Sequence, residues 1–346
     1  MKKLKRLAPA AILISLLWIA VEGAQPLAAQ DDSAGKTHRS RFSLKLTGGL
    51  SFPDTGDING MIRSYEDATA QIIADGQSAV LDWKRIKSVC EGTVELQFAL
   101  TDRVSLGLET GFMRKRFPGT WSIDASYPGE TGGNYVDSYT YSIDHQFNNS
   151  FNIIPVVLNG YYFFHRGKFD FYIKGGIGCY FGRYELNGTS SAEAVHTSEY
   201  YEYDIYVDTY VADEKTDVIG HGVAHRVAMG LHSGIGMEWK LSSRIALNFE
   251  GLFRAVDLKN WKGYMDNSVI YTDQSGYISE GLSTYGSTSK TIYDNSLRYN
   301  YQIQFVGGQY NYVPVKMVYF AFPPEGKRAS LRLDGLSFRI GLKIGL

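Results

Sequence analysis

The chain is poor in cysteine and proline, is almost neutral, and has no long apolar run beyond its first thirty residues. No later stretch reaches eighteen consecutive apolar residues, so a helical membrane span is excluded there and any membrane residence must come from strands. Proline is scarce, with nine residues, whereas tyrosine and phenylalanine are plentiful, a composition that suits strands. The net charge of -1 gives no electrostatic reason to expect nucleic acid as a partner.

The first residues have the features of a secretory signal. An apolar run from Leu7 to Val21 follows four basic residues, Lys2, Lys3, Lys5 and Arg6. The run is short for a spanning helix, and its charge arrangement is that of a signal peptide. Cleavage after Gly23 or after Ala29 fits equally, and we take residues 1–29 as the signal peptide and 30–40 as a short N-terminal segment. No cysteine lies near either point, so a lipid anchor is not indicated.

The last eleven residues alternate strictly between two kinds of side chain. The apolar set is Leu336, Phe338, Ile340, Leu342, Ile344 and Leu346, and the small or charged set is Ser337, Arg339, Gly341, Lys343 and Gly345. A strand needs this pattern when one face meets hydrocarbon and the other a polar lumen. The segment therefore predicts one strand in the wall of a transmembrane β-barrel.

Similar alternation recurs along the chain and predicts eight strands. They are Phe42 to Phe52, Val89 to Leu100, Val104 to Lys115, Phe151 to Phe164, Phe169 to Arg183, Arg226 to Trp239, Arg244 to Val256 and Leu331 to Leu346. Tight turns at 101–103, 165–168 and 241–243 alternate with long polar segments near 53–88, 118–150, 187–222 and 257–330. This alternation favours an all-β, antiparallel transmembrane barrel over 41–346 in the outer membrane, with short turns in the periplasm and long extracellular loops.

A further hairpin leaves the number of strands open. Leu297 to Val306 alternates well, Gly307 and Gly308 are a turn signal, and Gln309 to Phe322 has the pattern of a returning strand. The hairpin projects outward from an eight-stranded barrel or completes a ten-stranded one, and eight is preferred.

The polar face of the predicted strands carries a balanced set of charges. Six acids and six bases point into the lumen: Lys45, Glu91, Glu95, Glu109, Lys115, Asp170, Lys174, Glu238, Glu250, Arg254, Arg339 and Lys343. The interior of an eight-stranded barrel is just filled by side chains, so these charges indicate a paired internal network rather than an open pore. Tyr162, Phe164, Phe169 and Trp239 have lipid-facing parity beside the short turns, as an interfacial aromatic girdle requires.

Five segments carry a resemblance to a known family. They are Phe42 to Phe52, Leu96 to Gly111, Ile154 to Phe164, Tyr172 to Gly178 and the closing strand. These resemble the outer membrane protein beta-barrel domain family, the small eight-stranded barrels that include OmpX-like and OmpW-like proteins. The OmpW-like resemblance implies a narrow channel or a carrier of small apolar molecules. It also implies the barrel assembly machinery as a partner, although such barrels usually end in an aromatic residue where this chain has Leu346.

Residues with the chemistry of an active site or a metal site are few. Cys90 and Cys179 share the lipid-facing parity on strands that are not neighbours, which argues against a disulfide. His221 and His225 would lie about 13 Å apart on a strand, too far for one metal ion. His196 with the following Thr and Ser lies in a long segment without a fixed carboxylate partner. We therefore expect no enzyme, no metal and no cofactor.

Tyrosine is concentrated in the long segments. Nineteen of the twenty-five tyrosines lie in 118–150, 187–222 and 257–330, and 187–220 also holds eight acids against one base, Lys215. Tyrosine among Ser, Gly and Asn suits a recognition surface, although the same residues could pack the loops on one another. The leading hypothesis is a structural or surface-interaction protein acting through tyrosine-rich external loops. Its expected partners are outer-membrane lipid, lipopolysaccharide and an extracellular ligand of unknown identity.

Overall fold

The computed structural model describes residues 41–132, 134–202, 205–278, 282–296, 298–306, 313–321 and 327–346. The predicted signal peptide and the segment 30–40 lie outside the described residues. Within these residues there is one helix, α1 at Asp57–Ala74. The strands are β1 Phe42–Pro53, β2 Ser78–Trp83, β3 Val89–Ala99, β4 Val104–Gly132, β5 Tyr135–Arg166, β6 Phe169–Glu202, β7 Ile205–Lys240, β8 Ile245–Lys259, β9 Lys262–Tyr277, β10 Ser283–Ser296, β11 Arg298–Val306, β12 Val313–Ala321, β13 Lys327–Arg328, β14 Ser330–Arg332 and β15 Gly335–Gly345.

The main sheet is antiparallel and closes on itself. The pairings run β1–β3–β4–β5–β6–β7–β8–β15, and β15 pairs with β1 to complete the ring. The closing contact is long, since Ser43 lies opposite Gly345 and Pro53 opposite Gly335. Closure removes the unpaired edges that an open sheet would present.

The predicted alternation is confirmed on these ring strands. Along β8 the buried side chains are Ala246, Asn248, Glu250, Leu252, Arg254, Val256 and Leu258, whereas the residues between them are half-buried or exposed. The outward face carries a wide apolar band. Phe112, Leu158, Ile173, Ile235 and Phe338 are each more than half exposed. The predicted girdle residues Tyr162, Phe164, Phe169 and Trp239 also point outward and are exposed.

The prediction of long loops is wrong for most of the segments concerned. Residues 118–132 continue β4, 135–150 continue β5, and β6 and β7 pair along 187–202 and 205–222. Beyond the ring the same sheet runs β2–β4–β5–β6–β7–β9–β10, and we call this part the extended sheet. Where α1 covers this sheet the inner face is apolar, with Trp121, Ile123 and Ile143 buried, and the outer face is polar. Farther from the ring, as in 135–142, both faces carry polar side chains or tyrosine, so a two-residue hydrophobic period is absent there.

The segment predicted as the first loop contains α1. Its buried residues Ile58, Met61, Ile62, Tyr65 and Ile72 follow the spacing of an amphipathic helix. Gly56, with φ 52°, begins the helix, and Gly76, with φ 82°, follows its end, where the N–H of Gly76 donates to the carbonyl of Ile73. Such left-handed positions suit glycine because it has no Cβ.

The helix packs on the inner face of the extended sheet. Tyr65 contacts Trp83, Trp121 and Phe147 edge-to-face, and the indole of Trp121 donates a hydrogen bond to Thr69. Asp57 at the first turn accepts hydrogen bonds from the N–H and hydroxyl of Ser330, which ties the helix to β14. A hydrophobic core therefore lies above the mouth of the ring on the side of the long hairpins.

The C-terminal part differs from the prediction in two ways. The predicted strand from Leu331 is interrupted, since β14 pairs with β8 before β15 begins. The hairpin near 297–322, whose turn lies outside the described residues, has β11 paired with β12 and β13 rather than inserted in the ring. In the parts of the chain that the structure describes, no helix is long and apolar enough to cross a membrane.

Two isoleucines of α1 provide a matched test of this packing. Ile62 is fully buried and Ile73 is 54% exposed. We expect Ile62→Ala to lower the free energy of opening of α1 by about 2–4 kcal/mol, because it leaves a cavity. Ile73→Ala should change it by less than about 0.5 kcal/mol. Hydrogen exchange of the α1 amides measures both values, and equal effects would contradict the packing.

Candidate functional site

The interior of the ring is charged toward the short turns and apolar toward α1. Arg339 on β15 contacts three carboxylates. Its guanidinium lies 2.8 Å from Glu91, 2.9 Å from Glu109 and 3.3 Å from Glu250. Arg254 on β8 binds the second oxygen of Glu91 at 3.0 Å. Each arginine therefore bridges strands that are not neighbours in the ring.

Two lysines, Lys45 on β1 and Lys174 on β6, complete this cluster. The Nζ atom of Lys45 lies 2.7 Å from Glu250 and 4.0 Å from Glu95. The Nζ atom of Lys174 lies 2.5 Å from Glu109, 3.4 Å from Glu250 and 3.6 Å from Glu95. Charges this deeply buried need several partners, since one counterion rarely offsets the loss of hydration.

Neutral side chains that the charge pattern did not indicate also belong to the cluster. The hydroxyl of Tyr161 donates to Glu95 at 2.6 Å, and Tyr172 donates to Glu250 at 2.9 Å. Asn159 donates to Glu95 and Glu109, and its amide oxygen lies 2.5 Å from Nε2 of His232. Their signal was available. Tyr172 and His232 share the parity of the buried charges on their strands, and Asn159 and Tyr161 have the parity opposite to the lipid-facing Tyr162 and Phe164.

The structure brings most of the twelve predicted lumen residues together. Eight form the continuous cluster: Lys45, Glu91, Glu95, Glu109, Lys174, Glu250, Arg254 and Arg339. Lys343 and Glu238 form a separate pair at 2.9 Å, and Asp170 binds Lys240 and His165 near the short turns. Lys115 has the same parity but lies among apolar residues, between Met113 and Phe117, and forms no ion pair with any described residue.

Close packing fills this part of the lumen. A Cβ added to Gly107 would lie 2.0 Å from a carboxylate oxygen of Glu95, and one added to Gly176 would lie 2.2 Å from the amide oxygen of Asn159. Glycine is therefore required where large polar side chains meet the opposite wall. The arrangement suits a rigid, sealed interior rather than a solvent-filled passage.

A second group of residues lies on the extended sheet, on the face that carries Trp121 and Ile143. Beyond the end of α1 this face presents aromatic rings, and we call it the aromatic face: Tyr127, Tyr139, Tyr141, His196, Tyr200, Tyr271 and Tyr285. Register places them together, since Tyr139 lies opposite both Tyr127 and His196. All are half-buried or exposed, up to 63% for Tyr285.

The rings of the aromatic face are held by stacking. Tyr139 and His196 stack with centroids 4.3 Å apart and planes at 4°, and Nε2 of His196 lies 3.5 Å from Asp137. His145 stacks on Trp121, and burial lowers its pKa to about 4. Burial also raises the pKa of Tyr141. Both are therefore uncharged at neutral pH, and rigid, neutral rings present contact area at low entropic cost.

Acidic side chains surround the aromatic face. Glu214 and Asp273 lie opposite each other on β7 and β9, next to Ala194 and Tyr285 in the same row. Lys215 lies 3.9 Å from Asp217. Among the described residues no group of three or more acids, histidines or cysteines is arranged to hold a metal ion.

The other residues considered for a metal site, a disulfide or catalysis do not lie together. His221 bonds Asn187, whereas His225 lies opposite Arg183 and Lys262, so the two histidines do not converge. Cys90 and Cys179 are both free thiols. His196 has Asp137 and Tyr139 as neighbours but no serine in hydrogen-bond contact among the described residues.

Comparison with known proteins gives distant likenesses only. No family model and no curated protein matches the chain. The outer membrane protein OprG from Pseudomonas aeruginosa aligns with 90% of this chain and 98% of its own at 10% identity and a TM-score of 0.32. The outer membrane protease OmpT from Escherichia coli covers 92% and 100% at 9% identity and a TM-score of 0.27. TM-scores this low do not establish a shared fold, so the architecture rests on the strand pairing of this chain.

Removing one partner of the buried charge cluster should be costly. Arg339→Met leaves Glu91 and Glu109 each without one cation, and we expect the free energy of unfolding to fall by about 3–5 kcal/mol. Lys115→Met makes the same chemical change on the same interior face, but no described ion pair is lost, so it should be nearly neutral. Urea unfolding in detergent micelles, followed by tryptophan fluorescence, measures both. Equal losses would contradict the role assigned to the cluster.

Proposed function

We propose that this chain is an eight-stranded outer-membrane β-barrel, not an enzyme, whose sealed ring anchors a surface-interaction sheet. The observation that carries the proposal is the division of one sheet into two environments. Around the ring the outward face is apolar and the inward face is charged and paired. Beyond the ring the outer face of the same strands becomes polar, and the inner face packs on α1 and then exposes the aromatic face.

The outward band supports residence in a lipid bilayer. Its exposed apolar side chains run around the ring, on β1 and β15 as well as on β4 to β8. A continuous band of this extent on a water-facing surface would drive association. An outer membrane, entered with the help of the barrel assembly machinery, satisfies the band with lipid and lipopolysaccharide. The export signal of the sequence agrees with that location.

The aromatic face supports surface recognition rather than catalysis. Tyr139, Tyr200, Tyr271 and Tyr285 present accessible rings from four different strands, and the pairing of those strands fixes their spacing. Hydroxyl groups and acids at its margin add hydrogen-bonding capacity without converging on a reactive centre. Such a surface suits a polysaccharide or a protein loop, in which flat rings and hydrogen-bond donors alternate.

A second candidate is a carrier of small apolar molecules. One observation favours it, an open groove of about 880 Å³ on the outward side of the ring, lined by apolar side chains that include Leu50, Phe171, Ile235, Phe249 and Phe338. Gly48 and Gly251 contribute no side chain there. The groove faces lipid and does not lead into the ring. Stepwise conductance in a planar bilayer would therefore favour a channel over both the surface-interaction role and the carrier role.

The first test places the two ends of the molecule on opposite sides of the membrane. In a background of Cys90→Ala and Cys179→Ala, Ser138→Cys on the extended sheet should react with a membrane-impermeant maleimide on intact cells. Ser243→Cys, in a short turn, should react only after the outer membrane is permeabilised. Both positions are exposed, so a reversed pattern would contradict the proposed orientation, and equal labelling would contradict membrane residence.

The second test addresses recognition by the aromatic face. We expect purified protein to bind members of an array of polysaccharides and extracellular-matrix proteins. The variant with Tyr139→Ser, Tyr200→Ser, Tyr271→Ser and Tyr285→Ser should lose at least about tenfold in affinity, since a ring at an interface contributes about 1 kcal/mol or more. Ser138→Ala with Thr140→Ala, on the opposite face of β5, is the control and should bind normally. Equal binding by both variants would contradict the assignment.

A further inference from the structure

Exposed basic side chains lie all around the short-turn end of the ring. Arg103, Arg166 with Lys168, and Arg244 lie in or beside the three short turns, and Arg41 precedes β1. We call these five residues the basic rim. All five side chains are exposed, and none forms an ion pair within the part of the chain that the structure describes.

The backbone fixes each part of the basic rim against a neighbouring strand. The carbonyls of Arg41, Arg103, Lys168 and Arg244 accept hydrogen bonds from the N–H groups of Ala99, Phe163, Lys240 and Gly345. The rim positions are therefore set by the end of the ring itself rather than by long loops. The positive charges consequently encircle one mouth of the ring.

Acids do not neutralise the basic rim. Asp170 is buried and already binds Lys240 at 2.8 Å and His165 at 2.7 Å. Asp102 is an exposed acid in the same turn as Arg103. At the opposite end, the extended sheet carries the acids of 187–220. The chain is nearly neutral as a whole, but its charge is separated along its length.

The basic rim adjoins the aromatic end of the outward apolar band. Arg166 continues the outward face of β5 directly after Tyr162 and Phe164, and it lies opposite Phe169. Trp239, which pairs with Phe169, is 42% exposed. Rings of this kind lie at the level of lipid headgroups in membrane barrels. Cations just beyond them therefore lie at the level of lipid phosphates.

We infer that the basic rim binds anionic phospholipid headgroups of the leaflet on the short-turn side, and this inference rests on the proposed membrane residence. Arg and Lys bind phosphate oxygens by charge-assisted hydrogen bonds. The basic rim thus selects anionic phospholipids, and it also holds the ring at a fixed depth in the membrane.

Trp239 provides a local probe for the experiment. The protein is reconstituted in phosphatidylcholine vesicles that contain either brominated phosphatidylglycerol or brominated phosphatidylcholine, and quenching of tryptophan fluorescence reports which lipid lies beside the rim. Trp83, Trp121 and Trp261 are buried, and Trp239→Phe supplies the background. We expect the association constant for phosphatidylglycerol to be about fivefold higher, because each basic side chain at a lipid surface contributes on the order of 1 kcal/mol.

Two charge-matched variants test the assignment. The rim variant, Arg103→Gln, Arg166→Gln, Lys168→Gln and Arg244→Gln, should bring the preference to about one. The control variant, Arg114→Gln, Arg116→Gln, Arg183→Gln and Lys262→Gln, also removes three arginines and one lysine that are exposed, but beyond the other margin of the apolar band. The control variant should keep the preference for phosphatidylglycerol.

The outcomes separate this inference from the proposed function. Quenching by both brominated lipids without preference, or equal loss in both variants, would overturn lipid selection while leaving membrane residence intact. Absence of quenching by any brominated lipid in folded protein would overturn membrane residence itself. Co-sedimentation with isolated peptidoglycan that only the rim variant loses, without a lipid preference, would assign the basic rim to the cell wall instead.

Discussion

Charge compensation inside the ring is the constraint on which the rest of the structure depends. Closing the sheet removes its edges but encloses the inward side chains of every strand. Arg339 and Glu250 occupy this space successfully because each has several partners from other strands. The cluster is therefore a set of contacts across the lumen that holds the walls together, and any single member is indispensable to its neighbours.

The upper half of the interior meets the same requirement with apolar packing. Above the charged cluster, Met113, Phe151 and Tyr180 replace charges at the same parity, and α1 covers them. The change from charged to apolar side chains lies where the strands leave the ring and the sheet no longer has a wall opposite it. The helix supplies that wall, so the extended sheet is held by a hydrophobic core of its own. The aromatic face begins where this cover ends.

The sequence predicted the ring better than it predicted the extended sheet. In the ring, lipid-compatible and lumen residues alternate, so parity alone placed Glu91 and Lys174 among the paired charges. Lys115 shows the limit of this argument. Parity predicts the face of the strand on which a side chain lies, but it does not predict the height of that side chain along the axis of the ring. The neutral members Tyr161 and Asn159 were missed because only charges were considered.

The extended sheet and α1 were missed for different physical reasons. Strands rich in Ser, Thr and Tyr, such as 135–142, lose the two-residue hydrophobic period once both faces are polar, and their pairing is set by continuation from the ring. The helix had a readable signal in Ile58, Met61, Ile62 and Tyr65, whose spacing is helical. That signal was overlooked because the segment lies between two strongly alternating strands. The positions of the aromatic face depend on register across six strands, β4 to β7 with β9 and β10, and no local pattern encodes that register.

The most direct test of a closed, sealed ring is its mobility in SDS gels before and after boiling, measured on protein isolated from the outer-membrane fraction. A ring locked by its own pairing and by a buried charge cluster should resist the detergent and migrate as a compact band that shifts on heating. Recovery as a periplasmic protein with the same mobility in both conditions would contradict the barrel, and with it the membrane anchor from which the aromatic face is displayed.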